Sequence, residues 1–394
     1  MTTRPDKSNS GAASDQRPGL VLSGGGARGA YQAGALKAIA QIAGKMGKKH
    51  PFPIITGVSA GAVNAAYMGV YADHIKGAAH LLTALWGSIH TENIFRTDPI
   101  SFSQIGLRWA SGLVSGGVKK TRIHSLLDTQ PLRQLLTKHL KLPRVQSNID
   151  SGVLRALAIT ATDYATSLGI TFVAGNSEIT PWQRSRRSGI LADLSVEHVM
   201  ASAAIPLLFP AVQLEDRWYG DGCLRNMAPL SPAVRLGADR LLVVGVRRDS
   251  QLGEAPRPGS IGASAGRVLS VLINSVMLDG TENDLESLAR TNALIDSLGV
   301  DGARRAQYSG RDLRRIDFLC VKPTEDLAQV ALAHAKNLPP ILRYLVKGLG
   351  PVEETAELIS YLLFEPPYCR ELIALGFEDA MRARGNIEAL IGGP

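Results

Sequence analysis

Cysteine is scarce: the 394 residues hold three, Cys223, Cys320 and Cys369. An odd number at wide spacing excludes a disulfide framework and a zinc knuckle, and it fits a reducing compartment. Aromatic residues make up 5%, too few for the stacking platforms of a nucleic-acid binder. No apolar run reaches the ~18 residues of a membrane-spanning helix. The opening stretch MTTRPDKSNSGAASDQRP lacks the apolar core of a secretory signal, and a disordered polar tail is expected over residues 1–17. No long Lys/Arg tract occurs, although basic residues outnumber acidic ones by 43 to 35 for a net charge of +8. The cations come in short clusters such as Lys119-Lys120 and Arg314-Arg315, which read as solvated surface. Attraction to anionic lipid headgroups stays open. These absences together point to a cytoplasmic protein with no nucleic-acid partner and, at most, peripheral contact with an anionic membrane.

Hydrophobic residues make up 45%, enough for a large core, and glycine is frequent at 40 residues. The stretch GLVLSGGGARGAYQAGAL, Gly19 to Leu36, begins with a short apolar run that reads as a strand. It then crowds Gly24, Gly25, Gly26 and Gly29 into six positions before a helix over Ala30–Ala43. On that helix Gln32, Lys37 and Gln41 fall close to one face, and Leu36, Ile39 and Ile42 fall on the other. FPIITG reads as a second strand and AGAVNAAYMGVYA as a second helix with almost no charge, hence buried. Strand, helix, strand, helix implies a right-handed parallel unit. Further strands are expected at 156–160, 169–174, 241–246 and 316–321, with helices from about Leu327 onward.

The glycines satisfy G-x-G-x-x-G, but a dinucleotide site also needs an acid about 20 residues on to hold the ribose. No acid occurs between Gly29 and Asp73. The second strand runs instead into GVSAGA, Gly57 to Ala62. G-x-S-x-G at a strand-to-helix joint is a nucleophile elbow: the turn is so sharp that only small neighbours fit, here Gly57 and Gly61, and it projects the Ser59 hydroxyl above the sheet edge. A second match, Gly262 to Gly266 around Ser264, follows a Pro/Gly-rich loop with no strand before it. Context therefore singles out Ser59. In a parallel sheet the first two strands end on one edge, so the glycine loop faces the serine. There it can offer backbone N–H groups to a developing oxyanion, with little side-chain bulk in the way. Arg28 either pins this loop or meets a phosphate.

A nucleophilic serine needs a base. None of the eight histidines sits in a recognisable catalytic context; His198 falls on a helix, and His334 is the late histidine that a Ser-His-Asp triad would require. The acid that stands out is Asp221 in RWYGDGCLRNMAPLSPA, where a short strand breaks into an Asp-Gly turn.

SGGGARGAYQAGAL, GVSAGA, ASAAIPLLFPAV and YGDGCLRNMAPLSPA resemble, in order, the four signature blocks of the patatin-like phospholipases, spanning about residues 20–233. The resemblance implies an α/β, three-layer α/β/α fold with a mainly parallel central sheet, as a catalytic domain over 18–325 followed by a helical C-terminal extension over 326–394. It implies Ser59 as nucleophile and Asp221 as base, a Ser–Asp dyad in place of a triad. The loop Gly24, Gly25, Gly26, Ala27, Arg28 and Gly29 becomes the oxyanion hole. The implied activity is hydrolysis of acyl esters of phospholipids, lysophospholipids or related lipids through an acyl-enzyme, with neither metal nor cofactor. One departure stands in the acid motif, where the family has Asp-Gly-Gly or Asp-Gly-Ala and this chain has Asp221-Gly222-Cys223. A triad esterase, a catalytically silent lipid-binding scaffold and an acyltransferase using the same serine are the competing readings. The segment Ile94–Val118, with Trp109 and then Lys119-Lys120, is expected as either a lid over Ser59 or a buried helical insertion.

Overall fold

The computed structural model describes residues 17–97, 125–249, 264–277, 279–305, 307–308 and 311–392. The chain opens with β1 (Pro18–Leu22), α1 (Gly29–Lys45), β2 (Ile54–Val58), α2 (Ala60–Val70) and α3 (Ile75–Ser88). β3 (Ala156–Asp163), β4 (Leu168–Gly175), β5 (Trp182–Arg184), β6 (Arg187–Leu191), β7 (Val212–Leu214), β8 (Arg217–Asp221) and β9 (Arg240–Val244) follow, with helices between some of them. β10 (Gln307–Tyr308) and β11 (Arg311–Asp312) form a separate two-stranded ribbon, and β12 (Asp317–Val321) returns to the main sheet.

That sheet runs in the order β12-β9-β1-β2-β3-β4-β6-β5, and its first five strands are mutually parallel. Alternation along each strand divides two cores. Leu20, Leu22, Ile55, Leu242 and Val244 face one side, where α1, α2 and α3 pack. Val21, Ile54, Leu241 and Val243 face the other, with Leu230, Ala233 and Leu236 around the short helix Ser231–Arg235. Helices thus cover both faces of a mostly parallel sheet, the three-layer α/β/α arrangement. β4 is antiparallel to β3, and the short β5, β6 and β7 add to the strands that the sequence predicts.

The register of β3 explains how two distant segments meet. β2 runs parallel to β3 and ends with Val58 opposite Thr160. β8 runs antiparallel to β3 and ends with Asp221 opposite Ala161. The two strands approach each other end to end along one edge of β3. The residue after β2 and the last residue of β8 are therefore forced together.

Beyond β12 the chain is helical. The helix Pro366–Arg382 lies on α1 so closely that Gly34 faces the Ile373 carbonyl and Gly376 faces the Tyr31 carbonyl, leaving no room for a Cβ at either. Gln32 departs from the expected polar face of α1. Lys37 and Gln41 reach solvent, but Gln32 is fully buried. Its amide donates to the carbonyls of Ser23 at 2.8 Å and Val244 at 3.1 Å, tying α1 to the ends of β1 and β9.

Candidate active site

Ser59 sits between β2 and α2 with φ 55° and ψ −127°. A non-glycine residue in this region is strained and persists only where its surroundings fix it. Here they do. The Ser59 N–H donates to Ser202 Oγ at 3.0 Å, and that hydroxyl donates in turn to the Thr160 carbonyl at 2.6 Å. Gly61 lies against the carbonyls of Leu22 and Ser23, and Gly57 lies against the Gly61 carbonyl, so a methyl group at either would collide with backbone.

Ser59 Oγ donates to Asp221 Oδ2 at 2.7 Å, and both residues are buried. The other carboxylate oxygen accepts the Cys223 N–H at 2.9 Å, and Thr162 Oγ1 donates to the Asp221 carbonyl at 2.8 Å. Burial pushes the Asp221 carboxyl up to about 6, against the pull of the Ser59 and Cys223 hydrogen bonds. A carboxylate of that basicity can exchange protons near neutrality, which an ordinary aspartate at ~3.9 does poorly.

Ser59 and Gly26 line an apolar cavity beside the elbow. Its walls include Trp86, Leu135, Leu136, Ile205, Phe209 and Phe364. Among the described residues on that lining, Ser59 supplies the one side-chain hydroxyl, and the other side chains are almost all apolar.

Comparison with known families matches residues 20–234 to the patatin-like phospholipases, more than half of the 394. The chain belongs to the patatin-like phospholipase family. No curated protein matches it. Among solved structures it is similar to VipD from Legionella pneumophila, at 14% identity and a TM-score of 0.39, covering 94% of this chain and 67% of that one.

In this patatin-like chain the glycine loop is anchored by residues that lie outside the family match. Arg28 is 3% exposed. Its guanidinium donates to Ser360 Oγ at 2.9 Å and 2.7 Å, pairs with Glu357, and stacks 4.7 Å over the Tyr361 ring. Neighbouring Gly26, at φ +57°, abuts the Tyr361 carbonyl, where no Cβ fits. The structure thus gives Arg28 the pinning role and turns its charge toward Glu357. The loop's other end is held by a buried polar chain: Trp86 Nε1 donates to Asn64 Oδ1 at 2.8 Å, and Asn64 Nδ2 donates to Gln32 Oε1 at 2.9 Å and to the Gly29 carbonyl at 3.0 Å. Gly25 and Ala27 lie buried within the same loop.

Gly24 faces both the Cys223 sulfur and Ser59 Cβ, so the segment Asp221–Cys223 and the glycine loop touch through Cys223. Gly222 packs on the Thr160 carbonyl and admits no side chain. Burial and the neighbouring Asp221 charge push the Cys223 thiol well up, so it stands as a neutral S–H.

The remaining candidates lie elsewhere. Ser264 Oγ accepts the Arg267 N–H at 3.1 Å at the start of a helix. His334 Nε2 is 2.6 Å from Glu371. The His198 ring sits edge-on to Phe172 at 4.6 Å and takes part in a capping box with Ser195. Of the expected lid, Ile94 lines the cavity and Phe95 is fully buried, whereas residues 98–124, including Trp109, Lys119 and Lys120, lie outside the described residues, as do residues 1–16. No helix among the described residues is long and apolar enough to cross a membrane.

The Arg28 anchor carries a stability expectation. Glu357→Ala leaves a buried cation without its partner. The expected cost is about 2 kcal/mol, below the 3–5 for a fully buried pair because Glu357 is partly solvated. Urea denaturation reads it directly, and an unchanged midpoint would mean that the pair does not hold the loop.

Proposed function

We propose that this patatin-like protein is a serine lipid acyl hydrolase acting through a Ser59–Asp221 dyad. The 2.7 Å contact between the two side chains at the wall of an apolar cavity supports this reading most directly. The acyl chain lies in the cavity with its ester carbonyl at Ser59. Asp221 takes the hydroxyl proton as Ser59 Oγ bonds to the carbonyl carbon. The carbonyl oxygen becomes an oxyanion beside the Gly24–Gly29 loop, stabilised by the N-terminal end of α2 and by loop N–H groups other than those of Arg28 and Gly29, which donate to carbonyls within the loop. The carbon–oxygen bond to the alcohol then breaks, and Asp221 returns its proton to the leaving oxygen. Water, deprotonated by Asp221, attacks the acyl-enzyme carbonyl; the bond to Ser59 Oγ breaks, Asp221 returns the proton to that oxygen, and the fatty acid leaves.

Ser202, Gln32 and Asn64 would act on this chemistry only by holding the elbow and the loop. The catalytic unit is taken as residues 18–325, with the extension 326–394 contributing Glu357, Ser360 and Tyr361 to loop position. Three free cysteines support a reducing compartment such as the cytoplasm.

Fatty-acid release from a phospholipid, a lysophospholipid, a neutral glyceride and a short-chain soluble ester tests the proposal. Turnover of at least one long-chain acyl lipid is expected in the absence of any metal. Release from none of them by folded protein would favour a silent lipid-binding role.

A further inference from the structure

Two helices leave large apolar side chains in solvent. On Ala265–Met277, Val268, Val271 and Leu272 are 48%, 54% and 57% exposed, while Leu269 and Ile273 pack inward. On Pro340–Leu349, Tyr344 and Leu345 are 75% and 44% exposed, while Leu342 and Val346 are buried. The helices meet where Gly266 lies against Leu349 and Gly350 against Ser264. Single exposed hydrophobics need no explanation, but stripes on two touching helices do.

Their charges are all of one sign. Arg267 on the first helix and Arg343 and Lys347 on the second are the only charged residues in these two segments; acids resume at Asp279 beyond the first and at Glu353 beyond the second. A second copy of this chain would bring three cations against three. An anionic lipid surface would instead neutralise them while accepting the apolar side chains at its acyl boundary. The face also adjoins the site. Ile341 and Tyr344 line an open cleft together with His90 and Glu365, and Phe364, next in sequence to Glu365, lines the cavity that holds Ser59.

We propose that the paired helices Ala265–Met277 and Pro340–Leu349 are the surface by which the protein docks on anionic lipid bilayers. The inference rests on the proposed lipid substrate for its purpose, but binding is read without turnover, so either can fail alone.

The test is co-sedimentation of the full chain with phosphatidylcholine vesicles and with vesicles of equal parts phosphatidylcholine and phosphatidylglycerol. The wild type is expected to bind the anionic vesicles at least about tenfold more tightly and to lose that preference in high salt. Val271→Asp/Leu272→Asp and Arg343→Glu/Lys347→Glu should each weaken anionic binding by about tenfold or more. Thermal unfolding and hydrolysis of a short soluble ester should stay at wild-type levels in both. Equal binding of wild type and folded variants would overturn the proposal, as would absence of wild-type binding. A wild-type dimer that both variants dissociate without loss of vesicle binding would assign the face to self-association and overturn it too. If wild type binds anionic vesicles but hydrolyses no ester, docking stands and the hydrolase reading falls.

Discussion

Ser59→Ala is expected to reduce ester hydrolysis by at least about 10⁵-fold, the scale on which serine hydrolases lose turnover with their nucleophile. The cause is local. The substitution removes one oxygen from the cavity lining and leaves the backbone that strains the elbow in place. The Ser59 N–H still has Ser202 as its acceptor, so the fold should survive. Circular dichroism and thermal unfolding of the variant check this, and steady-state kinetics on a short soluble ester read the loss. Substantial residual turnover would mean that another group attacks the ester. Ser264→Ala should leave turnover unchanged, because its hydroxyl caps a helix through the Arg267 N–H.

Asp221→Asn is expected to cost about 10²–10⁴-fold in kcat/KM, the range for removing a general base. Wild-type kcat/KM should fall as pH drops through about 6, where the buried carboxyl takes up its proton. The same burial gives a stability signature of opposite benefit. The folded carboxyl is raised from 3.8 to about 6, so the unfolded chain gives up this proton first as pH rises. The group's contribution to stability is therefore complete below about pH 4 and lost as pH climbs through about 6. Asn cannot ionise, so Asp221→Asn should be more stable than wild type at about pH 8, by up to about 3 kcal/mol, and no more stable near pH 4. Denaturation at the two pH values measures this. A variant equally destabilised at both would show that the carboxyl is not held in a desolvated site.

How much of this was visible in the chain itself depended on sequence separation. The elbow is local: strand, small residues, serine and apolar helix are contiguous from Ile54 to Val70, so Ser59 stood out against Ser264. The parallel pairing of β1 and β2 follows from the strand, helix, strand, helix order that starts at Gly19. Asp221 is a different case. An Asp-Gly turn is common, and it took the resemblance to the four blocks to select it. Its approach to Ser59 depends on β2 and β8 sharing one edge of β3, a non-local register that no periodicity encodes.

Helical spacing groups Gln32 with Lys37 and Gln41, while its actual neighbours are carbonyls at the ends of β1 and β9. The Arg28 anchor joins residues more than 300 positions apart, and nothing in the spacing of Glu357 and Ser360 announces it. Ser202 carried a weak signal, a hydroxyl within the small-residue run ASAAIP, but its partner atoms are backbone of the elbow and β3. Short strands such as β5 and β7, three residues each, fall below any alternation a sequence can display.

Catalysis by this site requires that Ser59 be the nucleophile and that Asp221 activate it. Its most direct test is covalent capture with a fluorophosphonate probe, followed by mass mapping of the labelled peptide and by labelling rates for the variants. One adduct is expected, on Ser59, absent in Ser59→Ala and formed far more slowly in Asp221→Asn. An adduct on Ser264 or any other serine, or labelling of Ser59 at an undiminished rate in Asp221→Asn, would contradict it.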